Sequence, residues 1–97
     1  MSIAYVVVLT YIKPLEDIDA LIPEHVEWLK QSYSDGVFLV SGRRIPRNGG
    51  VILAQCDSIE SLEKHLSQDP FQKLKVAKAE VIPFESMMKA SLLESIL

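Results

Sequence analysis

Apolar positions in this chain fall into four dense short runs, separated by stretches in which they recur every three or four residues. Ile3 to Tyr11 is almost continuously apolar and rich in Val and Tyr. That is the pattern of a central strand covered on both faces. Leu15, Ile18, Ile22, Val26, Leu29 and Tyr33 then follow helical spacing and predict a helix reaching about Ser34, with Asp17 as its cap. Pro23 lies inside that pattern and predicts either a late start near Leu21 or a kink.

Asp35-Gly36 is a stop and turn signal, after which Val37 to Ser41 and Val51 to Cys56 read as two more two-faced apolar strands. The loop Arg43 to Gly50 joins them as a hairpin, with Asn48-Gly49-Gly50 as the positive-φ residues of its turn. Asp57-Ser58-Ile59-Glu60 is a capping-box variant with Asp57 as cap, and Ile59, Leu62 and Leu66 form one face of a short helix. Asp69-Pro70 opens another helical turn, with proline at its preferred first position. Ala79 to Phe84 reads as a fourth strand and Met87 to Leu97 as a short terminal helix.

The order is β-α-β-β-α-β. This is the ferredoxin-like arrangement of an α+β domain, with two helices on one face of an antiparallel sheet. The strands are apolar on both sides, yet two helices cover only one. A second copy of the same sheet is the simplest cover for the other, so a homodimer formed sheet against sheet is expected.

Ninety-seven residues fit one domain, with a core over 3–84 and a helical tail over 87–97. The net charge of −3 calls for neither nucleic acid nor an anionic membrane as partner. Cys56 is the only cysteine, which excludes an internal disulfide; with no secretory signal pattern, a reducing cytoplasm is the expected compartment. Ile3 to Leu9 is far short of the roughly 20 apolar residues of a membrane span.

His25 is the residue out of place. It follows Ile18 by seven positions and precedes Leu29 by four, so it points inward with the core. An imidazole facing the interior needs a polar partner, and Asp69 is the candidate. Two readings are open: a core-edge histidine bonded to a carbonyl, or a general acid and base. Asp69 also reads as a helix cap, and the two roles are compatible because a carboxylate has two oxygens.

Arg43, Arg44 and Arg47 place three positive charges within five residues of an acidic chain. They make either a solvated hairpin tip or an anion site, with Ser41 and Gly42 presenting a hydroxyl and accessible backbone beside them. His65 reads as a surface residue, and Cys56 has no basic neighbour to make it a nucleophile. Trp28 is either packing or an aromatic wall near His25. No metal motif and no glycine-rich phosphate loop is present, so neither metal nor cofactor is expected.

In order, the segments Pro23-Glu24-His25-Val26-Glu27-Trp28-Leu29, Phe38-Leu39-Val40-Ser41-Gly42, Gly49-Gly50-Val51-Ile52-Leu53, Asp69-Pro70-Phe71 and Val81-Ile82-Pro83-Phe84 resemble the YciI-like family of small bacterial proteins. The resemblance runs from about Ile3 to Phe84. It implies a ferredoxin-like dimeric α+β barrel. It also implies a catalytic pair in a cleft, matched here by His25 and Asp69. A relative acts as a dehydrochlorinase on a chlorinated hydroxyquinol, and the wider superfamily includes muconolactone isomerase. Where many relatives have Gly-Pro after the second strand, this chain has Ser41-Gly42-Arg43-Arg44.

The expectation is therefore a small cofactor-independent lyase or isomerase acting on a small anionic or phenolic molecule. His25 and Asp69 are its acid–base pair, and Ser41, Gly42, Arg43 and Arg44 hold the substrate. The alternative is a non-catalytic dimeric module that binds a small ligand or a partner protein.

Overall fold

The apolar run at the start of the chain becomes an interior strand. The computed structural model describes residues 3–97. Strand β1 (Ile3–Tyr11) lies between β3 (Gly49–Gln55) and β4 (Ala77–Glu85), and β2 (Phe38–Arg43) completes an antiparallel sheet of order β2-β3-β1-β4. This is the expected ferredoxin-like α+β fold. Helices α1 (Leu15–Ser34), α2 (Ile59–Leu66) and the single turn α3 (Pro70–Lys73) connect the strands. No helix among the described residues is long and apolar enough to cross a membrane.

Alternation along β1 divides the sheet into two faces. Tyr5, Val7 and Leu9 pack with Phe38, Ile52 and Ala54 against Trp28 of α1 and Leu62 and Leu66 of α2. A smaller cluster of Ile18, Phe71, Val76 and Ala77 forms beside it. Ile18, Leu62 and Phe71 are at most 1% exposed; burying each contributes roughly 2 kcal/mol.

The opposite face carries Val6, Val8 and Leu53, half-buried, and Val40, Val51, Ile82 and Phe84, which stay 41–57% exposed. Lys78 and Glu80 stand opposite Thr10 and Val8 on this face, so one end of β4 is polar where the sequence reading made every strand apolar on both sides.

Several local expectations shift. Helix α1 starts at Leu15 and runs through Pro23 as one element. Pro23 is exposed, and it lacks only the N–H that would bond the Asp19 carbonyl. Asp17 lies in the first turn, where its charge favours the helix N-terminus, and the cap position is Pro14. In α2 the cap is Ser58, which accepts from the Ser61 N–H at 3.1 Å, and not Asp57. The tail forms only a 3₁₀ turn, Ser91–Leu93, with Met88 and Leu92 exposed; so short a helix is marginal without a surface to pack on.

The apolar stripe of α1 is also rotated. Its buried residues are Ile18, His25, Trp28 and Ser32, while Ile22, Val26 and Leu29 are half-buried. Those three face a cavity.

Strand β2 contains a β-bulge. Phe38 stands opposite Ala54 but Val40 stands opposite Leu53, so Leu39 is an extra residue. Side chains beyond the bulge change face. Ser41 therefore stands opposite Ile52, and Arg43 opposite Gly50, on the helix-covered side.

Gly49 and Gly50 belong to β3 and have no positive φ; that conformation occurs at Gly36 (φ 76°) and Lys75 (φ 57°). Gly49 is required for close approach instead, since a Cβ there would lie 1.8 Å from the Leu9 carbonyl oxygen. Gly49→Ala should therefore cost about 3 kcal/mol or more in urea unfolding. Gly42→Ala, with open space around its Cβ, should stay within about 0.5 kcal/mol of the parent.

Candidate functional site

The first turn of α3 builds the site. Asp69 is its cap and accepts the Phe71 N–H on Oδ1 at 3.0 Å. The same oxygen lies 2.7 Å from His25 Nδ1. Helix α1 places His25 two turns beyond Ile18, which anchors it in the second cluster. The sequence argument divided the two roles between two oxygens. The structure puts both on Oδ1, and Oδ2 is buried with no hydrogen-bond partner.

Asp69 is fully buried and His25 is 9% exposed. An ionised carboxylate only accepts, so Nδ1 carries the proton of the neutral ring and Nε2 keeps its lone pair. Phe71 stacks on the imidazole face, with centroids 3.9 Å apart and planes 7° from parallel. Trp28 lies 5.4 Å away on a tilt. One short segment, Asp69-Pro70-Phe71, thus fixes the ring by its edge and by its face.

His25 borders a cavity of about 160 Å³ between α1 and the β2–β3 hairpin. Ile22, Val26 and Leu29 close it from the helix, Leu9, Tyr11 and Ile52 from the sheet, and Phe71 from α3. Gly50 adds no side chain to the helix-covered face, which leaves the space open. A cavity of about 150 Å³ accommodates a benzene ring. The volume here suits one six-membered ring with few substituents.

Of the expected substrate-side residues, Ser41, Gly42 and Arg43 line this cavity. Arg44 does not; its guanidinium donates to Thr10 Oγ1 at 2.9 Å. Arg47 pairs with Asp19 of α1, whose hydrogen bond and charge raise the pKa of the guanidinium. Arg43 is therefore the one arginine at the cavity, and the other two fasten the hairpin.

His65 is not a surface residue. It is half-buried, with Nε2 2.7 Å from Ser32 Oγ. Ser32 donates its own proton to the Trp28 carbonyl, so His65 donates to Ser32. The Trp28 indole donates to the His65 carbonyl at 3.1 Å. Trp28 is thus both core packing and a neighbour of His25. His65 ties α2 to α1.

Sequence reasoning missed Tyr33, which it counted only as part of the stripe. Its phenol lies 2.6 Å from Ser41 Oγ. The spacing of Leu29 and Tyr33, one turn apart on the flank of α1 that faces the hairpin, was the available signal.

Asp69→Ala removes the cap and leaves two buried N–H groups, on His25 and Phe71, without an acceptor. It should cost about 3 kcal/mol, whereas Asp69→Asn, which still caps and accepts, should cost about 1 kcal/mol. In a double-mutant cycle by urea unfolding, His25→Ala combined with Asp69→Ala should cost less than the sum of the two.

No curated protein matches the chain. Among solved structures, 5-chloro-2-hydroxyhydroquinone dehydrochlorinase (TftG) from Burkholderia phenoliruptrix AC1100, in complex with 2,5-dihydroxybenzoquinone, is similar in fold. Its TM-score is 0.73 at 14% identity, covering 84% of this chain and 93% of that one. The sequence model of the YCII-related domain matches residues 4–85, from the second residue of β1 to the last of β4, and the chain belongs to that family.

Proposed function

We propose that the cavity takes a small hydroxylated or anionic six-membered ring, and that His25 moves a proton to or from it. The observation that supports this most is the 2.7 Å bond from His25 to a fully buried carboxylate, on a ring that borders a cavity of matching size. Fold alone does not fix chemistry, so the reading rests on the site.

In this reading a ring hydroxyl gives its proton to Nε2 and its electron pair forms a carbonyl. Returning the proton to a ring carbon completes a keto–enol shift. If that carbon bears a halogen, departure of halide with loss of a second hydroxyl proton completes elimination of hydrogen halide. Asp69 holds the tautomer and stabilises the imidazolium that forms in between, without itself touching the substrate. Arg43 pairs the negative charge of the ring or leaving group, beside Ser41 and the backbone of Gly42. Arg44, bound to Thr10, holds the loop. No bound cofactor enters these steps. The dehydrochlorinase with a similar fold, solved with a dihydroxybenzoquinone, supports both ring size and reaction class.

The proposal includes a second copy of the chain. The open sheet face presents Val40, Val51, Ile82 and Phe84 to solvent around half-buried Val6, Val8 and Leu53. A contiguous apolar face of this kind marks a protein interface, and the sheet is its own complement about a two-fold axis.

With 5-chloro-2-hydroxyhydroquinone as probe, the protein should release chloride. His25→Ala should lower the rate by about 10²–10⁴-fold with binding changed only a few-fold. Asp69→Asn should fall between. If phenols raise the unfolding temperature yet undergo neither chloride loss nor proton exchange, the chain is a binding module. Sedimentation should give twice the chain mass, and Val40→Glu with Ile82→Glu should give a monomer; a monomeric parent would dispose of the sheet-to-sheet dimer.

A further inference from the structure

Ser41 and Tyr33 form a hydroxyl pair at the cavity. Ser41 lines it from β2, on the side to which the bulge at Leu39 turns that strand. Tyr33 comes from the last turn of α1 and is 39% exposed, so it reaches the cavity only through its bond to Ser41. The two oxygens are 2.6 Å apart, a short hydroxyl–hydroxyl contact. The Tyr33 ring is held edge-on against Phe38, with centroids 6.2 Å apart, and Phe38 is 2% exposed in the core. Tyr33 is thus packed on one side and bonded at its tip.

The direction of that bond follows from acidity. A phenol, with a pKa near 10, is a better donor than an aliphatic alcohol. The positions of the two oxygens allow either to donate, and this acidity favours Tyr33 as the donor to Ser41. Ser41 Oγ–H, its oxygen already engaged, is left to donate elsewhere, and hydrogen bonds in a chain strengthen one another. Apart from His25 and the Tyr11 hydroxyl, the residues that line the cavity with Ser41 offer no side-chain acceptor.

We propose that Tyr33 is a positioning residue that acts through Ser41, aiming the serine hydroxyl at a second oxygen of the bound ring. This rests on the reading of the cavity as a ring site with His25 as its acid–base group. His25, on the helix wall, serves one oxygen; the Tyr33–Ser41 pair, on the sheet wall, serves another. The site therefore selects rings with two oxygens over monophenols. With His25 and Arg43 the pair gives the ring a third polar contact, which fixes one orientation.

The test uses the full chain, 2,5-dihydroxybenzoquinone as probe, and the emission of Trp28, the only tryptophan. Its indole lies 5.4 Å from the His25 ring, within reach of quenching by a bound quinone. Quenching should saturate in the parent. Tyr33→Phe and Ser41→Ala should each weaken binding roughly five- to tenfold, the value of one ordinary hydrogen bond. The double variant should bind no more weakly than Ser41→Ala alone, because Tyr33 acts only through Ser41. Phenol itself should be weakened by neither change. Additive losses would make the Tyr33 hydroxyl a contact independent of Ser41 and overturn the proposal. Quenching in the parent with unchanged affinity in both variants would overturn it and leave the ring site standing. A parent that does not bind the quinone would overturn both. Unfolding midpoints measured beside each titration separate a misfolded variant from a weakened site, and Tyr33→Phe, which keeps the packing on Phe38, carries the test if Ser41→Ala does not fold.

Discussion

A carboxylate with no exposed surface accepts two hydrogen bonds on one oxygen, and the arrangement of the whole site follows from it. Asp69 Oδ1 takes the N–H of Phe71, which fixes the start of α3, and faces His25 Nδ1, which fixes the orientation of an imidazole on another helix. A buried carboxylate is costly unless its neighbours donate to it. The fold meets that cost with two donors 44 and 2 residues away in sequence, so the link between α1 and α3 and the capping of α3 are one contact. Phe71, set by the same turn, stacks on the ring and belongs to the cluster that buries Ile18. His25 therefore sits where its two clusters of core residues meet, against Trp28 of one and Phe71 of the other.

The second constraint is the bulge in β2. A regular strand would place Ser41 and Arg43 on the face opposite Phe38. One extra residue at Leu39 returns them to the side covered by α1. The cavity then has a hydroxyl and a guanidinium on its sheet wall and an imidazole on its helix wall. Its emptiness has an equally local cause: Gly50, on the same face, has no side chain to fill the space between Leu9, Ile52 and Arg43.

The basic loop shows how tertiary contacts redistribute apparently equivalent charges. Arg44 is spent on Thr10 and Arg47 on Asp19, both holding the hairpin against β1 and α1. Arg43 alone reaches the cavity. The fold shared with the dehydrochlorinase at 14% identity is a scaffold, on which these particular residues line the cavity of this chain.

Much of this was legible in the sequence. Local periodicity placed the four strands and the two longer helices, though not the tail, because burial on one or two faces dictates apolar spacing. The ferredoxin-like arrangement follows from the element order β-α-β-β-α-β, and the inward position of His25 follows from its distance to Ile18 and Leu29. The Asp-Pro pair announced its cap through backbone chemistry confined to three residues. What the sequence did not determine depends on contacts between distant segments. A bulge leaves no compositional mark in Phe38-Leu39-Val40-Ser41, so the facing of Ser41 and its bond to Tyr33 were decided by pairing with β3. His65 looked like a surface residue because its partners, Ser32 and Trp28, lie on another helix. Three arginines close in sequence became three different residues because Thr10, Asp19 and the cavity lie in three directions from one hairpin. Local spacing encodes which face a residue takes on its own element, while its partners are chosen only when the elements pack.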